Sequence, residues 1–318
     1  MTVLLLQFCL HPSLAQQTPA DTTQVSRSII ANVIDSHGHA VDDLRKENFA
    51  LFLNGKPAAL SSARYNVAPR RIVVLLDVSG SMEGTITNGK WKLAEEAARE
   101  LLSQREDHAQ IAMVTFASEV QKIYDFQQGR TAISKWLVDN ADRPANGKRR
   151  KTALFDALGW ALKLFGAAQQ GDAIYAITDG GDNASSLAAR QIQKVILQSG
   201  VRVFALLFVA PGLSPREEQG ENDFAGMIRD SGGQAFIISG RPVHGIWGAQ
   251  YDYDRLNREN VKTYAANLNT QINGFWILDL TAPISSKTAK VKLLVKGHTG
   301  KELTNATLTC PRVLISKD

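Results

Sequence analysis

Asp77-Val78-Ser79-Gly80-Ser81 places three oxygen-bearing side chains at alternate positions directly after the apolar run Ile72-Val73-Val74-Leu75-Leu76. Small polar groups at the point where a buried strand emerges can serve a nucleophile, a phosphate cradle or a metal ion. Two other stretches bear on the choice. A second apolar run over residues 174–177 ends in Thr178-Asp179-Gly180-Gly181-Asp182-Asn183, which puts another carboxylate in an equivalent position. Thr152 follows the loop Asn146-Gly147-Lys148-Arg149-Arg150-Lys151 and can present its hydroxyl to the same rim. In a doubly wound sheet, ligands collect at the carboxyl ends of the strands. Three loops there offer two carboxylates and three hydroxyls, without an imidazole or a thiolate. An all-oxygen set suits a hard divalent ion, Mg²⁺ first, with Mn²⁺ or Ca²⁺ as alternatives. Neutral hydroxyls leave much of the ion's charge uncompensated, so an open coordination position attracts a carboxylate from another molecule.

Other chemistries fit less well. A haloacid-type phosphatase needs an aspartate where Ser79 stands, and a nucleophile elbow needs Gly-x-Ser-x-Gly around its serine. No Gly-x-x-x-x-Gly-Lys-Ser/Thr phosphate loop occurs. His108 and His244 have no nameable partner, and Asp182-Asn183 lacks the rest of a calcium-binding loop. A lone Asp-x-Ser-x-Ser reads as well as a capped turn; it is the trio with Thr152 and Asp179 that favours a metal. The run Lys148-Arg149-Arg150-Lys151 has two readings, a solvated loop or a positive rim that steers an acidic partner. With Asp182 and Asn183 it makes up the candidate partner-binding rim.

The elements that must position these groups follow from the hydrophobic pattern. Strands are predicted at residues 72–76, 111–116, 120–126, 174–178, 201–209 and 235–238. Helices are predicted at 90–104, 131–138, 152–165, 187–198, 224–229 and 259–271. Strict alternation implies an α/β fold with a doubly wound, mostly parallel sheet covered on both faces. The pair 111–116 and 120–126 is expected to be antiparallel at one edge, and residues 240–258 give no clear pattern. On either side the chain is β-type: 28–34 and 49–53 before, then 275–280, 290–295 and 307–315 after. Neither flank can bury a core alone. Residues 27–68 and 274–318 are therefore expected to fold together as one small β-sandwich, with the α/β domain (69–273) inserted between them.

Composition sets the outer limits. The 318 residues are 44% hydrophobic and 21% charged, as in an ordinary globular protein. A net charge of +5, without a basic stripe carrying interleaved aromatics, gives no case for a nucleic-acid partner. An apolar stretch over residues 3–10 leads to Ser13-Leu14-Ala15, small residues spaced for cleavage before Gln16. Residues 1–15 thus read as a signal peptide lacking a basic start, and 16–26 as a linker. The expected location is exported: periplasmic, cell-surface or secreted. No transmembrane span is expected, since no segment reaches about 20 continuous apolar residues. Once the signal is removed, Cys310 is the one cysteine left, so no internal disulfide is possible.

The constellation resembles the von Willebrand factor type A domain with its metal-ion-dependent adhesion site. Asp77-Val78-Ser79-Gly80-Ser81 matches the family pattern Asp-x-Ser-x-Ser, Thr152 its threonine and Asp179 its second aspartate, in order, over roughly residues 70 to 240. The resemblance implies that Ser79, Ser81 and Thr152 contact the cation directly, while Asp77 and Asp179 act directly or through water. It implies a non-enzymatic adhesion or protein–protein interaction module whose partner is a protein or surface ligand presenting an acidic residue. A metal-independent scaffold with a structural or vestigial site is the alternative. A hydrolase using the metal as Lewis acid would need a general base near the cluster, and the sequence offers none. The opening segment, from Val33-Ile34-Asp35 to Asn48-Phe49 and Asn54-Gly55-Lys56-Pro57, is similar to exported von Willebrand-related proteins abundant in acidobacteria. Asn48 departs from the aspartate frequent there.

Overall fold

The computed structural model describes residues 28–67, 70–82, 90–103, 109–141, 151–209, 215–239, 241–245, 248–252, 255–281, 287–297 and 299–315. The chain opens with strands β1 (Ser28–Ile34), β2 (Phe49–Leu53), β3 (Lys56–Ala58) and β4 (Leu60–Asn66). An alternating stretch follows: β5 (Arg71–Asp77), α1 (Lys90–Ser103), β6 (Gln110–Phe116), β7 (Val120–Tyr124), α2 (Gly129–Asp139), α3 (Leu154–Phe165), β8 (Ala173–Thr178), α4 (Ala189–Ser199), β9 (Arg202–Val209), α5 (Pro215–Ser231) and β10 (Ala235–Ser239). The hairpin β11 (Arg241–Gly245) and β12 (Gly248–Asp252) leads into α6 (Arg255–Asn273). The chain closes with β13 (Phe275–Leu280), β14 (Thr288–Val295), β15 (Thr307–Thr309) and β16 (Val313–Ile315). The expected signal peptide and linker, residues 1–26, lie outside the described residues.

The central sheet runs β10-β9-β8-β5-β6-β7, parallel throughout except for the antiparallel edge strand β7. Its inner strands β5, β8 and β9 and most of β6 are buried along their length because both faces are covered. Ile72, Val74 and Leu76 of β5 pack with α1, α2 and α6, while Val73 and Leu75 pack with α3, α4 and α5. β5 sits between β6 and β8. The connections that follow β5 and β8 lead to opposite faces, through α1 and α4, which opens a crevice at the carboxyl ends of these two strands. Asp77 is the last residue of that strand.

The two flanks meet as the strand count requires. One sheet runs β15-β1-β13-β4 and the other β16-β14-β2-β3, so each mixes N-terminal with C-terminal strands. Their shared core contains Ile29, Val33, Leu51, Leu278 and Val295. Trp276 lies 5.1 Å from Phe49 and 5.6 Å from Tyr65 between ring centroids, and its indole N–H donates to the Val41 carbonyl at 2.9 Å. The fold is thus the expected α/β domain flanked by a sandwich built from both ends of the chain.

Several elements differ from the sequence reading: β3 and β4 are strands it does not predict, and the strand expected over 307–315 divides into β15 and β16, in different sheets. α5 begins at Pro215 rather than residue 224, with Pro at its first position and Glu217 and Glu218 in its first turn, both favourable at a helix start. Residues 241–252 form a hairpin that pairs with itself and carries no apolar run to announce it. α3 starts at Leu154, so Thr152 stands in the loop before it rather than on the helix.

Candidate metal centre at the carboxyl end of the central strand

The oxygen cluster grows out of β5. The Val78 N–H donates to the Phe116 carbonyl at 2.8 Å, continuing the ladder one residue past the strand. A single 3-10 turn over Gly80–Met82 then reverses the chain, anchored by the fully buried Met82. Asp77 is fully buried, and both its carboxylate oxygens are engaged. Oδ1 accepts the Ser79 backbone N–H at 2.8 Å, and Oδ2 accepts the Thr178 hydroxyl at 2.6 Å. Thr178 Oγ1 in turn accepts the Gly180 N–H at 3.1 Å. Asp77 therefore knits the ends of β5 and β8 together. Ser79 is buried and Ser81 exposed, with their hydroxyl oxygens 2.9 Å apart.

Thr152 is held by its backbone. Its carbonyl accepts the Asn183 N–H at 3.0 Å and the Ala184 N–H at 3.1 Å, and its own N–H donates to Asn183 Oδ1 at 2.9 Å. Next to it, the Ala153 N–H reaches the Ala117 carbonyl at 2.7 Å. Asp179 is 6% exposed, and Gly180 after it has φ +81, a left-handed conformation that favours glycine. Lys90, the first residue of α1, places its ammonium 3.1 Å from Asp179 Oδ2.

Asp182, expected on the rim, lies beneath it. Its Oδ2 accepts the Phe155 N–H at 3.0 Å and the Ser185 hydroxyl, and it is 7% exposed. The first-turn amides of α3 lack partners within the helix, and this loop supplies them. The Asp156 N–H donates to Ser185 Oγ at 3.1 Å, and the Asp156 carboxylate accepts the Ser186 and Leu187 N–H groups at 2.9 Å each. Asn183 is half-buried and ties Thr152 to α5, its Nδ2 donating to Glu217 Oε1 at 3.1 Å. α5 can approach because of Gly220, where a Cβ would stand 2.5 Å from the Asp182 backbone nitrogen. Lys151 is exposed, while Lys148, Arg149 and Arg150 lie outside the described residues.

Negative charge accumulates here. Burial first, and the charge of Asp179 second, push the Asp77 carboxyl up to about 7, against the opposing bonds from Ser79 and Thr178. Glu221 on α5 is also held above the usual carboxylate range, by burial, then by Asp179 and Glu218, with Lys90 pulling the other way. Among the described residues no three His, Cys, Asp or Glu side chains group as a metal cage. The donors at hand are two carboxylates with hydroxyls. They fit a hard ion: adjacent ligands of an octahedral ion with bonds of ~2.1 Å stand about 3 Å apart, and the Ser79 and Ser81 hydroxyls are 2.9 Å apart. Motif reading missed Lys90, Thr178 and Glu221. Thr178 ends a strand beside the motif aspartate, a position that signals a role; Lys90 and Glu221 carry no such signal.

A doubly wound sheet with Asp-x-Ser-x-Ser at the end of its central strand, beside an aspartate that follows the neighbouring strand, defines an α/β domain with a candidate cation site at its switch point. Residues 72–181 match the family model described as von Willebrand factor type A domain, and the chain carries a domain of that type. The matched span includes all five motif residues. A domain of this type points to protein–protein interaction or adhesion. Similar solved structures include BatB from Bacteroides thetaiotaomicron, at 15% identity over 63% of this chain and 98% of that one, with a TM-score of 0.43. Another is a von Willebrand factor type A protein from Catenulispora acidiphila, at 13% identity over 93% and 76%, with a TM-score of 0.41. Proximal thread matrix protein 1 of the mussel byssus shares 15% identity over 80% and 51%, with a TM-score of 0.45. No curated protein matches the chain. The family match stops at the type A domain and does not extend to the narrower exported bacterial group. Among the described residues no helix is long and apolar enough to cross a membrane.

Proposed function

We propose that this protein is an exported, non-enzymatic adhesion or protein-interaction module that binds a partner's carboxylate through a divalent cation, Mg²⁺ first. The observation that carries the reading is the convergence of the Ser79 and Ser81 hydroxyls beside two buried carboxylates at the end of the central strand. Ser79, Ser81 and Thr152 would hold the ion directly, with Asp77 and Asp179 directly or through water. Asp77, whose two oxygens already accept protein hydrogen bonds, orients the Ser79 turn. The bound ion supplies a positive charge only partly neutralised by its hydroxyl ligands, hence an affinity for an incoming carboxylate. Export rests on the apolar N-terminal stretch and the small residues after it. The non-enzymatic reading rests on a donor set of carboxylates and hydroxyls without an imidazole or thiol to act as base.

A second reading, a metal-independent scaffold, is favoured by one observation: the Lys90 ammonium already sits on Asp179. Partner capture from the native organism with and without EDTA separates the two. Capture lost on chelation, with the fold intact by circular dichroism, supports cation-dependent adhesion; capture insensitive to chelation supports the scaffold.

A further inference from the structure

Lys90 belongs to no motif, yet it makes the closest charged contact in the site. Its ammonium lies 3.1 Å from Asp179 Oδ2, and the two side chains are 10% and 7% exposed. Asp179 also acts on Asp77 and on Glu221, and Lys90 eases the charge on Glu221. One ammonium therefore answers a group of carboxylates that face each other from β5, β8 and α5. Two like charges held in a poorly solvated space raise each other's energy, and a cation among them lowers it.

We infer that Lys90 is a tethered counter-ion that a divalent cation must overcome: its ammonium balances Asp179 in the metal-free protein and competes with the metal for that carboxylate. The inference rests on the cation-binding reading of Asp77, Ser79, Ser81, Thr152 and Asp179. Three features support it. Lysine carries a compact point charge on a flexible four-carbon stem, so it can leave an oxygen and swing toward water without disturbing the backbone. Lys90 is the first residue of α1, at the end of the helix that reaches Asp179. The contact uses one oxygen of Asp179, Oδ2. The physical consequence is twofold. The metal-free site is stabilised by an internal ion pair instead of holding bare buried carboxylates. Cation affinity is in turn weakened, because uptake breaks that pair and adds positive charge beside an ammonium. Lys90 thereby sets the cation concentration at which the site switches from its lysine-paired form to its metal-loaded form.

The test measures metal uptake and metal-free stability separately. Mg²⁺ titration by calorimetry is run on the full chain and on Lys90→Met, with Lys90→Gln as a second neutral variant that keeps a polar end. Urea unfolding in EDTA is run on the same proteins, on Asp179→Asn and on the Lys90→Met/Asp179→Asn pair. The expected results are Mg²⁺ binding at least tenfold tighter in both neutral variants, and a lower urea midpoint in EDTA for Lys90→Met. The double variant should lose less than the sum of its single changes. Unchanged or weaker Mg²⁺ binding in both neutral variants overturns the competition. Additive urea midpoints overturn the counter-ion. If neither the full chain nor either variant takes up Mg²⁺ while the Lys90–Asp179 coupling persists, the cation-binding reading has failed. The competition then falls with it, and the lysine is the permanent cation of the site.

Discussion

At the rim of the central sheet, buried carboxylates face one another, and among the described residues the Lys90 ammonium lies with them. At the seam between that sheet and the sandwich, the buried charge has the opposite sign. There the guanidiniums of Arg70 and Arg202 lie 4.3 and 4.4 Å from the centroid of the Phe275 ring. Arg202 is 1% exposed and bonds to Asn32 Oδ1 at 3.1 Å, the Gln271 carbonyl at 2.9 Å and the Ile272 carbonyl at 3.1 Å. Burial, and then the charge of Arg70, push its guanidinium down to about 9. The two clusters are solved differently. The seam hands its charge to the last carbonyls of α6, which lack helical partners and sit at the negative end of the helix dipole. Asn32 closes the arrangement by donating to the Gln271 and Gly274 carbonyls, both at 2.8 Å. That joint draws the partners of both terminal guanidinium nitrogens from within the chain, although Arg202 Nε and Gln271 Oε1 are buried without a hydrogen-bond partner among the described residues. The rim leaves negative charge opposed to negative charge, an arrangement that the proposed cation would complete. The seam is built to hold, and the rim is where binding is proposed.

Breaking the seam should cost the most. Arg202→Met removes a buried donor shared by Asn32 Oδ1 and the Gln271 and Ile272 carbonyls, of which the Gln271 carbonyl keeps the Asn32 amide, and about 3 kcal/mol or more of stability should disappear in urea unfolding. Arg202→Lys should recover little, because one ammonium cannot reproduce the planar fork. Mg²⁺ affinity of the folded Arg202→Met protein should stay within about twofold if the two clusters are independent as described. Next in size is Gly220→Ala, which forces a methyl against the Asp182 backbone. It should cost about 1–3 kcal/mol and also weaken Mg²⁺ binding severalfold, since the displaced loop carries Asn183, the anchor of Thr152. Asp182→Ala removes the acceptor for the Phe155 amide and should cost about 1 kcal/mol. Partner capture by that variant should otherwise match the parent, because the side chain lies below the rim.

The smallest effect reports on the seam from outside. Cys310 is half-buried, and burial pushes its thiol up to about 11 from an ordinary value of 9.0, with Arg312 opposing. The neighbouring Pro311 packs against Gly232 of the α/β domain. At pH 8 the thiolate fraction, and with it the alkylation rate, should be about a hundredfold below that of an ordinary thiol. Alkylation should speed up in Arg202→Met if the seam loosens there.

What the sequence made legible follows the same division. β5, β8 and β9 read as unbroken apolar runs because helices cover both their faces, and Asp77 and Asp179 stood out as the polar residues that end such runs. The paired flanks were legible because neither strand set could bury its own face. α5 was cut short because Gly220, Gly226 and an acidic first turn interrupt its apolar period, although Gly220 is what lets the helix reach Asp182. The hairpin at 241–252 carries no apolar run to read. The buried role of Asp182 is not legible locally, because the amide it caps is 27 positions away. Lys90 meets Asp179 across 89 positions, and Arg202 meets Asn32 across 170. Contacts of that kind leave no periodic trace, since they depend on how helices and strands pack rather than on any local pattern.

The central claim is that the Ser79–Ser81 pair belongs to a cation site. It is tested most directly by Mg²⁺ titration calorimetry of the full chain against the Ser79→Ala/Ser81→Ala double variant, with circular dichroism to confirm that both are folded. The account predicts one Mg²⁺ bound by the parent chain and none by the variant. Undiminished Mg²⁺ binding by the double variant would contradict it.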